Sequence, residues 1–301
     1  MNVEKWLKRN YIDLSNKTIV VTGANSGIGL ETCFHLAYLN ASLIMACRNE
    51  QKALDAKNKI LSKYPSANIK IIKYDQSSFA SISSFIEKIK DIKIDGLILN
   101  AGVYFPKADY KTEDGYELTF GTNYLGVYYL LNHMKEKMEK DATRVVMVTS
   151  LTAYLSASKR KITSYKKLSR NKAYGFSKLC LSRLFVSLSS SSVNATYRLV
   201  HPGITATNIL NSDKTGFPSW FSKLGHSFLY LFVHKPSKAS LCSVLGLIDQ
   251  DEYKKYIAPR GPFAISGFPK KKRIPKKYFY KDVEKETSSL IKERKNESVS
   301  N

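Results

Sequence analysis

The sequence predicts a single-domain α/β fold, a doubly wound parallel sheet of about seven strands flanked by helices. Three observations predict it. Short apolar runs of strand length alternate with longer amphipathic segments, the rhythm of βα units. A glycine-rich turn stands between the first such run and the first amphipathic segment. The alternation continues as far as residue 200 with no Gly/Pro-rich linker, so one sheet accounts for it better than two domains.

The amino-terminal "MNVEKWLKRNYIDLSNK" scatters its charges and has no apolar core of signal-peptide length, so residues 1–15 read as an extension. The domain is expected over 16–270. "TIVVTG" (Thr18 to Gly23), "SLIMA" (Ser42 to Ala46), "IKIIKY" (Ile69 to Tyr74), "GLILN" (Gly96 to Asn100) and "RVVMVTS" (Arg144 to Ser150) have strand length and β-branched composition. Helices are expected near Ile28 to Tyr38, Glu50 to Lys63, Phe79 to Lys90 and Tyr116 to Lys140. The Ser-, Lys- and Thr-rich interval Leu151 to Lys172 lacks periodicity and reads as a loop over the sheet's carboxyl edge. A helix from Tyr174 to Leu188 and a strand from Ala195 to Val200 follow, ending in "HPG".

Beyond Gly203 the texture changes. Turn residues mix with aromatics from Thr215 to Leu241, which predicts an amphipathic helix in a substrate-covering segment, 204–235. A helix at Ser237 to Leu247 and a short strand at "YIAPRG" complete the domain, and 271–301 is expected as a basic polar tail with a frayed end.

Composition narrows the function classes. Hydrophobic residues at 43% and charged residues at 24% describe a soluble globular chain. Cys33, Cys47, Cys180 and Cys242 form neither CxxC pairs nor a disulfide framework, and buried free thiols in a reducing compartment are the simplest account. The five histidines show no ligand spacing, so no metal is expected. "FLYLFV" (Phe228 to Val233) is far shorter than the roughly 20 residues a spanning helix needs. The expected location is cytoplasmic. A net charge of +23 is spread along the chain, densest at "PKKKRIPKKYFYK", without any nucleic-acid reading motif. Nucleic acid is therefore not an expected partner; weak peripheral contact with an anionic membrane is left open, as is a homo-oligomer.

"TGANSGIG", Thr22 to Gly29, lies directly between a predicted strand and a predicted helix. Glycine there permits a tight turn and a close approach of backbone N–H groups to a pyrophosphate, whose charge the helix amino terminus favours. Gly23, Asn25, Ser26, Gly27, Ile28 and Gly29 are the candidate dinucleotide cradle of a Rossmann fold. NAD-binding folds place an acidic residue at the end of the second strand. Here that end reads "MACRNE", and Arg48 suits a ribose 2′-phosphate, so NADP(H) is expected in preference to NAD(H).

Read together, these motifs resemble the short-chain dehydrogenase/reductase family and its retinol-dehydrogenase-like branch, over about residues 15 to 210. "TGANSGIG" looks like the family's glycine turn and "ACRN" like its NADP-preferring second strand end. The resemblance implies cofactor contacts from Asp75 and Gln76 in "YDQSS", where Gln76 replaces a more usual Leu, and from Asn100, Ala101 and Gly102 in "NAG". It implies a proton-relay role for Asn123 in "GTNYLG", and a catalytic trio of Ser150, Tyr174 and Lys178 in "VVMVTS" and "AYGFSK". "HPGITAT" resembles the loop at the nicotinamide end, which adds Pro202, Gly203, Ile204, Thr205 and Thr207. Tyr174 follows Ser150 by 24 positions, a longer interval than in compact members, and this insertion is implied to border the substrate.

The chemistry agrees with the pattern. Tyr174 and Lys178 are four apart on one helix and share a face. A free phenol titrates near 10, and a neighbouring ammonium is expected to lower that value and also to reach the nicotinamide ribose hydroxyls. Ser150 is expected to donate a second hydrogen bond to the substrate oxygen. Asn123 is expected either to kink its helix or to hold a water leading to Lys178. The reading is an NADP(H)-dependent oxidoreductase for a small-molecule carbonyl or alcohol, with a catalytically weak NADP(H)-binding scaffold or sensor as the alternative.

Overall fold

Strands form where the apolar runs are covered on both faces, and the chain threads them into one sheet. The computed structural model describes residues 1–104, 110–156, 160–205, 234–251 and 255–299. In chain order, helix α1 (Val3–Arg9) precedes β1 (Thr18–Thr22), α2 (Gly27–Tyr38), β2 (Ser42–Cys47), α3 (Glu50–Lys63), β3 (Ile69–Lys73), α4 (Phe79–Ile89) and β4 (Gly96–Leu99). Next come α5 (Leu118–Phe120), a π-helical turn (Gly121–Leu125), α6 (Gly126–His133), α7 (Lys135–Asp141), β5 (Arg144–Val148), α8 (Leu151–Leu155), a 3-10 turn (Ile162–Lys167), α9 (Arg170–Ser191) and β6 (Thr196–Val200). The carboxyl part holds α10 (Pro236–Ala239), α11 (Leu241–Ile248), β7 (Lys255–Pro259), β8 (Pro269–Arg273) and α12 (Val283–Val299), with 3-10 turns at Pro262–Ala264 and Lys276–Tyr278.

The sheet order is β3-β2-β1-β4-β5-β6-β7-β8. β1 is interior, third from one edge, and Val20 lies level with Ile44 on one side and Leu97 on the other. The chain winds outward from β1 to β3 and returns to β4 beside β1. That reversal opens a crevice at the carboxyl ends of these two strands, where dinucleotides sit in such folds. One face is packed by Phe85, Phe120, Leu125, Phe176 and Leu184, the other by Leu36, Ile60, Leu241 and Val244.

Four features depart from the sequence reading. The extension contains α1, too short for its periodicity to show, with Trp6 and Leu7 buried against the domain. The single helix expected over 116–140 is divided by the π-turn and again at Met134. The interval 151–172, expected as a loop, contains α8 and a 3-10 turn, and α9 already begins at Arg170. The stretch from 271, expected as a tail, supplies most of an eighth strand, antiparallel to β7, and the helix α12. Strand β8 is rich in lysine, which reads as polar tail but also suits a sheet edge, where charge discourages further pairing. Val283, Thr287, Leu290 and Ile291 of α12 are buried, a sparse stripe that the surrounding charges conceal in sequence.

Thr207 and most of the expected covering segment, with its aromatic helix, lie outside the described residues. Among the described residues no helix is long and apolar enough to cross a membrane. All four cysteines are buried and free.

Candidate active site

The carboxyl end of β1 turns through Gly23 (φ 65°) and Gly27 (φ 55°), left-handed conformations that favour glycine. Gly29 answers a different need: a Cβ there would lie 2.3 Å from the Gly23 carbonyl oxygen and 2.6 Å from Asn100 Nδ2. The turn is tied to the end of β4. Thr22 Oγ1 accepts the backbone N–H groups of Asn100 and Ala101, each at 3.0 Å. Asn100 Nδ2 donates to the carbonyls of Thr22 (3.0 Å) and Gly23 (3.4 Å). Ser26 is the N-cap of α2, exposed, and its side chain makes no capping hydrogen bond to the first-turn amides. Gly29→Ala is expected to weaken NADPH binding about tenfold or more, because the turn must open to admit the methyl group. Titration of NADPH fluorescence checks it.

At the end of β2, Cys47 is buried, and its sulfur takes the backbone N–H groups of Ala24 and Asn25. Burial pushes this thiol up to about 11, so it remains a neutral brace of the turn. Arg48 next to it has a side chain 70% exposed and stands 3.8 Å from the Asp75 carboxylate. An exposed pair at that distance contributes little, so the guanidinium can turn to another anion. Asp75 also accepts the backbone N–H (2.9 Å) and hydroxyl (2.6 Å) of Ser77.

Gln76 was expected at the cofactor, yet its side chain is turned inward. Its Nε2 donates to the carbonyls of Ala101 (3.0 Å) and Thr122 (2.7 Å), and its Oε1 accepts from Tyr74 (3.3 Å). The reason is satisfaction of buried carbonyls, which an apolar residue at this position could not provide.

Beyond β5, Thr149 Oγ1 bonds the Lys178 carbonyl (3.2 Å) and Ser182 Oγ (2.8 Å), which fastens the strand end to α9. Ser150 caps α8, accepting from Thr152 N (3.3 Å) and Thr152 Oγ1 (3.0 Å). It also shares a hydrogen bond with the Tyr174 hydroxyl. With both Thr152 groups donating to its oxygen, Ser150 has its own proton to give to Tyr174. The Tyr174 ring stands edge-on to Tyr104, with centroids 4.6 Å apart. Lys178 is 5% exposed and donates to the Val148 carbonyl at 2.9 Å, with its Nζ 6.0 Å from the centre of the Tyr174 ring.

Asn123 lies in the π-turn, a form of helix that recurs at functional sites. It clamps the loop after β4: Oδ1 accepts from Val103 N and Nδ2 donates to Val103 O, both at 2.8 Å, and Nδ2 also reaches Ser177 Oγ at 3.2 Å. The π-turn interrupts the regular helix at this residue, and the side chain holds backbone. Gly102 fits in between, since a Cβ there would lie 2.8 Å from Asn123 Oδ1 and 3.7 Å from Lys178 Nζ.

The titration of the pair differs from the expectation. Burial raises Tyr174 to about 12, with the Ser150 bond opposing and Tyr104 adding to the rise. Burial lowers Lys178 to about 8. With no anion beside it among the described residues, Lys178 is dominated by desolvation, and at 6.0 Å from the ring it does not offset the burial of the phenol.

After β6, Gly203 (φ 88°) passes beneath the loop that follows β7; a Cβ on it would lie 2.4 Å from Ile265 O and 2.5 Å from His234 Nε2. His234 Nε2 donates to Pro202 O at 2.7 Å, Ile204 N donates to Ile265 O at 2.8 Å, and Thr205 pairs with His234 in a β-bridge. Thr22, Tyr104 and His234 were missed by the sequence reading, and Cys47, at the end of the second strand, was read there only as a buried free thiol. A hydroxyl immediately before the first turn glycine was a signal for Thr22; Tyr104 and His234 had none.

The profile described as short chain dehydrogenase matches residues 17–216. The chain is 35% identical over 221 residues to short-chain dehydrogenase TIC 32 B, chloroplastic, of Brassica napus, a match covering 68% of this chain and 69% of that one. It is 30% identical over 252 residues to mouse retinol dehydrogenase 13, covering 79% and 74%. In structure it resembles an uncharacterised protein from Mycobacterium paratuberculosis with a TM-score of 0.69 over 95% of this chain and 96% of that one; at 22% identity this likeness concerns the fold alone.

Proposed function

The chain belongs to the short-chain dehydrogenase family of oxidoreductases, and on that premise we propose that it interconverts a lipophilic ketone or aldehyde and its alcohol, using NADP(H) in preference to NAD(H). The observation that carries the reading is the hydrogen bond between Ser150 and Tyr174, with Lys178 one helical turn beyond.

The residues fit a dinucleotide. The glycine turn leaves no room for a side chain at Gly29, the first-turn amides of α2 take no side-chain cap from Ser26, and Arg48 extends into solvent from the end of β2. Cys47 occupies the place where NAD-binding folds carry an acid, and its sulfur is engaged with the turn. A nicotinamide cofactor bound there supplies or takes up the hydride. The chain's residues handle the oxygen and the proton. Tyr174, held near pKa 12, is protonated at neutral pH and serves as the acid in reduction, passing its proton to the substrate oxygen. On substrate binding the single Ser150 proton turns from Tyr174 to that oxygen, donating a second hydrogen bond as charge develops on it. Lys178, when protonated, faces the resulting phenolate within the buried site and favours its formation. Likeness to a protein named a retinol dehydrogenase supports a lipophilic substrate, as does the aromatic sequence of 215–241.

Arg48→Asp is expected to weaken NADPH about 100-fold and NADH by no more than about threefold, since only the 2′-phosphate loses its cation. Kd values for both cofactors decide it, and an unchanged ratio removes Arg48 from the assignment. The function itself is tested with a panel of aldehydes, ketones and alcohols followed by NADPH absorbance, with Tyr174→Phe as the blank. NADPH binding without turnover of any member would overturn it.

A further inference from the structure

The chain between Ser150 and Tyr174 has little means of holding itself. Helix α8 has five residues and the following 3-10 element has six, lengths at which isolated helical structure is not stable. Both pieces are held from outside, by charged groups that bond main-chain atoms.

Lys277, in the 3-10 turn after β8, donates to the carbonyls of Tyr154 and Ser156, the latter at 2.6 Å, and stands over the Tyr154 ring at 5.2 Å. It thus caps the carboxyl end of α8 with a positive charge. Glu286 of α12 accepts the backbone N–H of Ile162 at 2.7 Å and the hydroxyl of Tyr280 at 2.5 Å. Arg183 of α9 lies against the Tyr280 ring at 4.3 Å and donates to the Arg160 carbonyl at 2.8 Å. Burial of Tyr278, Val283, Thr287 and Leu290 seats this carboxyl-terminal segment on the helices behind the site. Thr287 also shares a 2.5 Å hydrogen bond with Tyr124, the neighbour of Asn123.

The grip reaches the reacting groups through α8. This helix starts from Ser150 and is pressed onto α9 beside Tyr174: a Cβ on Gly175 would lie 2.6 Å from Ser156 Oγ and 3.0 Å from the Thr152 carbonyl. Movement of α8 therefore moves the Ser150 hydroxyl relative to the phenol. The second piece stacks Tyr165 flat on Phe120 at 4.3 Å, so it cannot slide without disturbing the packing beside the π-turn.

We infer that Lys277 and Glu286 are positioning residues: the carboxyl-terminal segment is a strap that sets residues 151–156 and 160–168 against α9 and thereby shapes the substrate side of the site. That this side faces substrate rests on the proposed function. The strap itself does not.

Full-length Lys277→Met, Lys277→Arg, Glu286→Ala and Glu286→Gln are compared with the wild type. Amide hydrogen exchange at Ser156 in Lys277→Met, and at Ile162 in Glu286→Ala, is expected to quicken about tenfold or more. Arg and Gln at the same positions keep a donor or acceptor and are expected to restore protection, with NADPH Kd unchanged throughout. With decanal as the probe, the two disruptive variants are expected to raise KM about tenfold and move kcat less than about threefold. Unchanged exchange at both amides overturns the strap, whether or not any carbonyl is reduced. Faster exchange with KM unchanged and only kcat or Tm lowered overturns the positioning role. A wild-type enzyme that turns over no carbonyl counts against the proposed function, and the exchange result still decides the strap.

Discussion

Tyr174→Phe is expected to lower carbonyl reduction about 1,000-fold while NADPH affinity stays within about twofold. The substitution removes one oxygen and leaves the ring, which is held edge-on to Tyr104 and flanked by α8 through Gly175. The hydroxyl meets Ser150, whose own oxygen is occupied by two donations from Thr152. The expected loss therefore belongs to proton delivery, and folding should change little. Initial rates at saturating NADPH, with the Kd measured separately, check it, and activity within tenfold of the wild type would mean that the proton comes from another group. Because burial holds the phenol near 12, reduction should show no loss through neutral pH from Tyr174 itself. Alcohol oxidation needs the phenolate and should rise with pH through the same range.

Lys178→Met is expected to cost turnover about 100-fold or more and yet to stabilise the substrate-free protein at pH 7, by on the order of 1–3 kcal/mol. Lys178 is 5% exposed and has a carbonyl for a partner, with burial as the one cause that lowers it to about 8. The sign follows from linkage. The folded value lies below the unfolded value near 10.4, so between about pH 8 and 10 the unfolded chain binds more protons and wild-type stability rises with pH. Below pH 8 both states are charged and the full desolvation penalty stands. Methionine, close in length and uncharged, removes that penalty at the cost of one hydrogen bond to Val148. The gain should fade as pH approaches 10. Urea denaturation of both proteins at pH 7 and pH 10 tests this, and a variant less stable than wild type at pH 7 would refute it. The role proposed for it one turn from Tyr174 would account for so unfavourable a lysine.

The amino-acid sequence by itself determined the parallel sheet, the glycine turn and the order of Ser150, Tyr174 and Lys178 along the chain. Those features rest on short-range rules: apolar runs of strand length, glycine between a strand and a helix, and the i,i+4 neighbourhood of a helix. What surrounds each residue was decided by tertiary structure. Asn123 meets Val103, twenty positions earlier, and Gln76 turns toward Ala101 and Thr122, because buried backbone groups there require partners. The expected tail pairs with β7 and then folds back as a helix, whose thin apolar stripe, Val283 to Ile291, is buried in the core shared with α9. The shift of the phenol runs opposite to the expected one for the same reason. A sequence shows an ammonium beside a phenol, but desolvation depends on everything folded around them, and here it outweighs their attraction at 6.0 Å.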